Sequence, residues 1–203
     1  MRLAREDETA MTAIIGWWRM LHPDADGSGG DRAGRARLRR ATSPLDALLE
    51  PETHALIARF AAAAGGRWPK GKKESATLEM RLAVLALALA QIEPNQTSAE
   101  RFASAVGRTP DGRYPGKDDR RRLSPARFGA LLRASDDPET FARLLRRALR
   151  VLRQVPFSVP QFIRDILAFD DEVRRDWTFQ YHHTRRDADE FAETGDALEA
   201  SDA

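Results

Sequence analysis

Several residue types that would point to particular functions are scarce or absent. The 203 residues include no cysteine, which excludes disulfide frameworks and thiolate metal sites and fits a reducing compartment. The most apolar run, LAVLALALA at residues 82–90, is far shorter than the roughly 20 residues that a membrane-spanning helix needs. The N-terminus MRLAREDETA lacks the apolar core of a signal peptide. We therefore expect a cytoplasmic protein without membrane association.

Catalytic and cofactor motifs are equally scarce. His182-His183 is accompanied by no cysteine and no HExxH pattern, so a frayed helix end explains it better than a metal site. DGSGG lacks the strand, lysine and Ser/Thr of a phosphate-binding loop. Three aspartate pairs could in principle hold Mg²⁺ for phosphodiester cleavage: Asp118-Asp119, Asp136-Asp137 and Asp170-Asp171. Asp137 is better explained as a helix cap and Asp170 as a helix start, so we expect no enzyme, cofactor or metal.

Charge is abundant but unevenly distributed. The 33 Lys+Arg and 31 Asp+Glu nearly cancel, so the net charge of +2 says little about partners. Residues 101–153, however, contain fourteen basic and six acidic side chains, whereas residues 187–203 contain seven acidic side chains and no basic one. A basic body thus carries an acidic tail. We predict that the tail is disordered, because it has too little apolar surface to offset its ordering entropy.

The spacing of apolar residues predicts an all-α fold. These residues recur at helical intervals along most of the chain, and no convincing period-two alternation appears. Besides a short turn that starts at Pro44, the predicted helices are 6–21, 31–40, 51–64, 74–93, 98–106, 125–134, 138–154, 159–169 and 171–183. Trp17 and Trp18 point about 100° apart on the first helix and cannot both face one core stripe. One of them is therefore a candidate contact with a partner subunit.

Capping patterns mark where several helices start. Three capping side chains directly precede a proline at the first helical position, namely Ser43, Ser124 and Asp137. Two residue pairs have the spacing of a capping box, namely Thr97 with Glu100 and Ser158 with Gln161. Gly65-Gly66 suits the left-handed geometry of a helix C-terminus.

The segment GRTPDGRYPGKDDRRR, residues 107–122, is the best candidate for a linker or mobile loop, because it is rich in Gly, Pro and charge. We expect two packed helical bundles in one compact or bilobed body. The N-terminal bundle would comprise residues 1–106, the C-terminal bundle residues 123–186, and the acidic tail residues 187–203.

The stretch FARLLRRALRVLRQ, residues 141–154, is two-faced. At about 100° per residue its five arginines fall within an arc of roughly 120°, with the leucines and Phe141 opposite. These arginines are Arg143, Arg146, Arg147, Arg150 and Arg153. No carboxylate lies among them, although solvated helix faces normally mix charges, since opposite pairs gain about 0.2–0.5 kcal/mol. The pattern favours a negatively charged partner, but arginine is also a good helix former, and acids from elsewhere could neutralise the stripe.

Two further arginine clusters strengthen the case for a polyanion. RAGRARLRR contains Arg32, Arg35, Arg37, Arg39 and Arg40, and DDRRR is followed by Arg127 and Arg133. Arginine greatly outnumbers lysine, and its planar fork suits bidentate contact with phosphate oxygens. Such contacts give affinity without recognising base sequence.

Stretches in order along the chain resemble the CasB family, the small subunit of the type I-E CRISPR surveillance complex Cascade. They are RARLRRA (35–41), SPARFGALLRASDDPETFARLLRRALRVL (124–152) and VPQFIRDILAFDDEVRRDWTFQY (159–181), with WWRML near the N-terminus. The resemblance spans about residues 14–181 without the loops. It implies an all-helical pair of bundles without catalytic activity, present as a dimer alongside other Cascade subunits. There it would stabilise the heteroduplex of guide RNA and target DNA and hold the displaced DNA strand.

The resemblance also implies nucleic-acid-binding residues by matching position. These are Arg39 and Arg40, Arg127 and Arg133, and Arg146 and Arg147. Arg143 and Arg150 are added by the helical-face argument alone. The loop 107–122 and the acidic tail depart from the family pattern, so residues 120–122 are not assigned to nucleic acid. The alternative is a structural scaffold whose basic faces bind acidic protein partners, without nucleic-acid contact.

Overall fold

The computed structural model describes residues 8–22, 29–65, 68–95 and 97–183, and these ranges form the expected all-α fold without a strand. Their ten helices are α1 (Glu8–Met20), α2 (Arg32–Arg40), α3 (Pro44–Leu48), α4 (Pro51–Ala64), α5 (Lys72–Leu89), α6 (Phe102–Gly107), α7 (Pro125–Arg133), α8 (Pro138–Val151), α9 (Val159–Ala168) and α10 (Asp171–His182). The predicted acidic tail, residues 187–203, lies outside the described residues. Among the described residues, no helix combines the length and hydropathy needed to cross a bilayer.

Helix α5 lies at the centre of the fold. Every residue from Leu82 to Leu89 is buried, because α3, α4, α8 and α9 all pack against this helix. An apolar circumference of this kind is typical of a helix surrounded by others. Helix α8 is thereby held with its apolar side towards the core and its opposite side towards solvent.

Most of the predicted helix starts are correct. Asp137 accepts hydrogen bonds from the backbone N–H groups of Glu139 and Thr140, both at 3.1 Å. Ser43 forms a reciprocal capping box with Asp46. Gly65 ends α4 in the left-handed region with φ of 54°, where a Cβ would be disfavoured.

Three capping predictions are wrong in whole or in part. Ser124 precedes α7 without a side-chain cap hydrogen bond. The predicted box of Thr97 and Glu100 is absent: α6 starts only at Phe102, and the Glu100 carboxylate instead accepts from Arg108. Ser158 does cap α9, but Gln161 donates to Asp165 and leaves that box half complete. In the last two cases a tertiary partner replaces the local one.

Both tryptophans of α1 are buried, so the prediction that one of them would contact a partner subunit is wrong. Trp17 is 1% exposed and donates its indole N–H to the carbonyl of Glu52 at 2.9 Å. Trp18 is 3% exposed and donates to the carbonyl of Leu89 at 3.1 Å. The two indole rings of α1 thus contact different neighbours, α4 and the C-terminal end of α5, so both sides of this helix that carry a tryptophan are buried.

The segment 107–122 is attached to the body by hydrogen bonds. Thr109 is buried and its hydroxyl accepts from the backbone N–H of Arg113 at 2.9 Å. The backbone N–H groups of Arg122 and Leu123 donate to α6 and to the residue that follows it. The buried apolar side chains of the described ranges form one contiguous cluster. The division into two bundles at this segment stays a prediction.

Candidate nucleic-acid interface

Helix α8 has the two faces that its sequence predicts. Its buried side comprises Phe141, Ala142, Leu145, Ala148 and Leu149, and it packs against α5. Arg143, Arg147 and Arg150 are exposed on the other side. The asymmetry leaves α8 with a continuous cationic side that the fold does not cover.

A cleft of about 710 Å³ lies beside this stripe and is here called the main cleft. It lies between the end of α2, the residues that follow α5, and the C-terminal half of α8. Four arginines line it, namely Arg39 from α2 with Arg146, Arg150 and Arg153 from α8 and the residues just after it. The other lining residues are Gln91, Glu93, Asn95, Leu149, Gln154 and Pro156. Two helices distant in sequence thus bring their guanidinium groups to one concavity.

Arg146 holds the two sides of the main cleft together. Its guanidinium donates to the carbonyls of Arg39 and Ala41, both at 2.6 Å, and so satisfies the C-terminus of α2. Burial, and secondarily the positive charge of Arg150, lower the pKa of Arg146. Arginine is nonetheless a cation at neutral pH. Arg146 is therefore a positioning residue that fixes Arg39 beside Arg150 as well as a contributor of charge.

Two smaller depressions extend the positive surface. One, of about 240 Å³ between α7 and α8, is lined by Arg127 and Arg147 with Leu123, Leu144 and Val151. The other, of about 440 Å³ on α2, is lined by Arg32, Arg35, Ala36, Arg39 and Arg40. It shares Arg39 with the main cleft, while the α7–α8 depression lies on the opposite flank of α8. We call the three depressions together the arginine surface.

The arginine surface includes six of the eight predicted site residues, namely Arg39, Arg40, Arg127, Arg146, Arg147 and Arg150. Arg133 and Arg143 are exposed on α7 and α8 but line none of the three depressions. Arg143 lies 3.5 Å from the hydroxyl of Thr140 in its own helix. These two arginines therefore lie on the same helices as the other predicted site residues, but they do not line the depressions.

Most of the predicted site arginines have no carboxylate partner among the described residues. Within the described ranges, no ion pair joins a carboxylate to any of seven predicted site residues, Arg39, Arg40, Arg127, Arg133, Arg143, Arg147 and Arg150. A guanidinium without a carboxylate partner is available to a ligand anion without first losing an internal one. Within the described residues, the objection that acids from elsewhere could occupy the stripe does not hold for Arg143, Arg147 and Arg150.

Glu93 is the one carboxylate among the lining residues of the main cleft, and it is held by its neighbours. Arg35 donates to it at 2.5 Å. Burial tends to raise the pKa of Glu93, but the hydrogen bond and charge of Arg35 outweigh burial and hold this pKa below its ordinary value. Glu93 is therefore ionised, and Arg35 balances its charge.

His22 lies beneath this pair, with Nδ1 3.5 Å from the Glu93 carboxylate. Burial first, and then the positive charge of Arg35, lower the pKa of His22 to about 4. The imidazole is consequently neutral at physiological pH and adds no charge to the cleft wall.

Four arginines in the segment 100–122 have internal partners instead. Arg108 pairs with Glu100, and Arg113 pairs with Asp111 at 2.5 Å. Arg121 donates to the carbonyls of Gly107 at 3.1 Å and Tyr181 at 2.7 Å, and its guanidinium lies 4.8 Å from the centre of the Tyr181 ring. Arg122 donates to the carbonyl of Ala105 at 2.9 Å. These contacts attach the segment to α6 and α10.

The aspartate pairs have structural partners as well. Asp137 and Asp170 cap α8 and α10, and Asp119 accepts from the backbone N–H of Gly116 at 2.9 Å. Within the described residues there is no group of three or more His, Asp or Glu side chains arranged to hold a metal ion.

Sequence reasoning missed the neutral polar residues of the main cleft. Gln91 and Gln154 lie at the ends of the predicted helices 74–93 and 138–154, and Asn95 lies beyond them, so none of the three belongs to the apolar or the arginine pattern. Their proximity to the arginines depends on how α5 and α8 pack. The available sequence feature was only their position just beyond two helix ends.

The family model of CRISPR-associated protein Cse2 matches residues 34–182 of the chain. The chain belongs to the Cse2 family. Cse2 is CasB, so the family implied by the ordered arginine and leucine motifs is confirmed, and the chain is a small subunit of type I-E Cascade with other Cascade subunits as its partners. The Cse2 match includes all eight predicted site residues. No curated protein and no solved structure matches the chain.

Proposed function

We propose that this Cse2-family subunit binds nucleic-acid backbone through the arginine surface, and thereby stabilises the guide RNA–target DNA heteroduplex and the displaced strand within Cascade. The observation that supports the proposal is the convergence of Arg39 and Arg150 on one cleft, from separate helices and without an ion pair to any carboxylate of the described residues. We further propose that the subunit is non-catalytic, cytoplasmic and present as a homodimer in the complex.

The energetics of strand exchange make such a surface sufficient. An RNA–DNA heteroduplex is about as stable as the DNA duplex it replaces, so modest protein contacts to backbone can tip the exchange. Each arginine that neutralises a phosphate also releases condensed counterions. A surface that extends from α2 across α8 to α7 can follow a strand over several phosphates. Phosphate contacts carry no base information, so this part of the binding is insensitive to sequence.

The test is R-loop formation by reconstituted Cascade that carries an altered small subunit. The variant Arg39→Glu/Arg150→Glu reverses two charges in the main cleft. Its matched control, Arg19→Glu/Arg175→Glu, reverses two exposed arginines of α1 and α10 that line none of the three depressions. Permanganate reactivity of thymines in the displaced strand reports the opened duplex. We expect the control to open target DNA as the parent does and the cleft variant to open much less.

Assembly must be scored in the same preparations. If the cleft variant enters the complex in normal amount and opens target DNA as well as the control does, the proposal is wrong. If the arginines bind only acidic protein surfaces, the cleft variant should instead fail to enter the complex, and its effect on DNA opening would follow from that loss of assembly. Deleting residues 187–203 adds a second comparison, since stronger nucleic-acid binding by the shortened chain would identify the acidic tail as a competitor for the arginine surface.

A further inference from the structure

The main cleft contains more hydrogen-bonding chemistry than phosphate binding uses. Besides its four arginines it is lined by three amide side chains, Gln91, Asn95 and Gln154, and by the Glu93 carboxylate. Phosphate oxygens need donors only. Amides both donate and accept, and Asn, Gln and Glu are residues that proteins use to contact base edges. The composition of the cleft therefore resembles a site for a base together with its phosphate.

Among the described residues, no side-chain hydrogen bond occupies Asn95, Gln154 or the Nε2 atom of Gln91. Asn95 and Gln154 are exposed, and no side-chain hydrogen bond involves either of them within the described ranges. Gln91 is half-buried, and its Nε2 atom is buried without a hydrogen-bond partner among the described residues. Buried polar atoms in folded proteins are nearly always paired, and this one has almost no accessible surface, so the Gln91 amide would meet a ligand only by turning towards the cleft.

The amides also approach from opposite sides of the cleft. Gln91 and Asn95 follow α5, whereas Gln154 follows α8, next to Arg150 and Arg153. Leu149 and Pro156 contribute apolar surface to the same cleft. A planar base with its sugar could rest on this apolar surface while its edge meets the amides.

We propose that the main cleft holds one unpaired nucleotide of a bound strand, with its phosphate on Arg39 and Arg150 and its base edge on Gln91, Asn95 and Gln154. This inference rests on the proposed function and adds a base preference to it. The Glu93 carboxylate can only accept hydrogen bonds, so the cleft favours a base with an exocyclic amino group over thymine, which presents a carbonyl there. The occupant is a strand and not a free nucleotide, because the arginine surface continues beyond the cleft to Arg127 and Arg147.

The test compares binding of two labelled single strands, twelve deoxycytidines and twelve deoxythymidines, to the full-length protein by fluorescence anisotropy. Both strands are pyrimidine homopolymers, and the cytosine amino group is the difference that bears on the cleft. We expect deoxycytidine to bind about tenfold more tightly, the discrimination of one good base contact. Glu93→Gln should bind both strands equally, because an amide can donate to the thymine carbonyl as well as accept from the cytosine amino group. Asn95→Ala/Gln154→Ala should bind both strands more weakly and keep the salt dependence of the parent. Gln180→Ala on α10, outside the cleft, should keep the preference.

Failures of the two proposals look different in this experiment. Equal binding of both strands by the parent, with a steep salt dependence, would overturn the base site and leave backbone binding intact. Binding of neither strand would overturn the proposed function itself. A preference that persists in Glu93→Gln would place its origin elsewhere and overturn the assignment to this cleft. Displacement of the strand by an equimolar amount of free deoxycytidine monophosphate would also overturn it.

Discussion

Two arginine-rich regions of this protein have similar composition and opposite environments. On α2, α7 and α8, exposed guanidinium groups such as those of Arg39, Arg147 and Arg150 form no ion pair with a carboxylate of the described chain. In the segment 100–122, Arg108 pairs with Glu100, and Arg121 donates to two backbone carbonyls. The first set is free to meet an external anion, whereas the second set maintains the fold. Density of positive charge alone does not distinguish binding arginines from structural ones.

The largest effect that this comparison predicts is on affinity for nucleic acid. Arg39→Glu/Arg150→Glu should lower the affinity of the subunit for single-stranded DNA about 100-fold or more, because charge-assisted hydrogen bonds contribute roughly 1.5–3 kcal/mol each. The midpoint of thermal unfolding should stay close to that of the parent, since both side chains are exposed. Anisotropy titrations and circular dichroism measure the two quantities. An affinity equal to that of Arg19→Glu/Arg175→Glu would remove the distinction between the regions.

The reciprocal experiment concerns Arg121. Arg121→Ala removes two hydrogen bonds to carbonyls and a cation–π contact with Tyr181, so we expect a loss of about 2–4 kcal/mol in the free energy of unfolding. Denaturant titration measures this loss. Affinity for single-stranded DNA should fall less than twofold at temperatures where the variant is folded. A stable variant with weak binding would show that Arg121 had been placed in the wrong group.

The pH dependence separates stability from nucleic-acid affinity, because arginines do not titrate near neutrality whereas His22 does so in the unfolded chain. The folded pKa of His22 is about 4, below its ordinary value of 6.5, so between these values the unfolded state binds more protons. Stability should therefore fall as pH is lowered from 7 to 5, by about 2 kcal/mol. His22→Gln should flatten that decrease in denaturant titrations. Nucleic-acid affinity of the folded protein should change little over the same range.

The smallest predicted effect concerns Arg146, which belongs to both groups. Arg146→Lys keeps the positive charge but cannot reproduce a planar fork that donates to Arg39 and Ala41 together. We expect a loss of about 1 kcal/mol in unfolding free energy and a threefold to tenfold loss of affinity through displacement of α2. Double-mutant cycles with Arg39→Ala measure the coupling. Independent, additive effects of the two substitutions would contradict a positioning role.

The sequence predicts local features of this protein well, but it does not predict which arginines of α2, α7 and α8 come together in the folded chain. Helical spacing, the caps at Ser43 and Asp137, and the two faces of α8 follow from residue types and intervals, and all of them are present. The errors at Thr97 with Glu100 and at Trp17 with Trp18 share one cause, since tertiary partners replaced the neighbours that local rules consider.

In the candidate site, too, the sequence predicts the local pattern but not the arrangement that depends on packing. The arginine stripe of α8 was visible as a periodic pattern, but its division between the main cleft and the α7–α8 depression depends on where α2 and α7 pack. The hydrogen bonds from Arg146 to α2 join residues more than 100 positions apart, and no sequence rule places them. Gln91, Asn95 and Gln154 belong to neither the apolar nor the arginine pattern, and only the packed structure brings Gln91 and Asn95 to the arginines of α8.

The salt dependence of single-strand binding tests the central claim most directly. If about five arginines of the arginine surface neutralise phosphates, the logarithm of the association constant should fall against the logarithm of salt concentration with a slope near −3.5, at roughly 0.7 per contact. Titrations of the parent protein with labelled single-stranded DNA from low to moderate salt give this slope. A slope near zero would contradict the claim that guanidinium groups from α2, α7 and α8 act together on a nucleic-acid backbone.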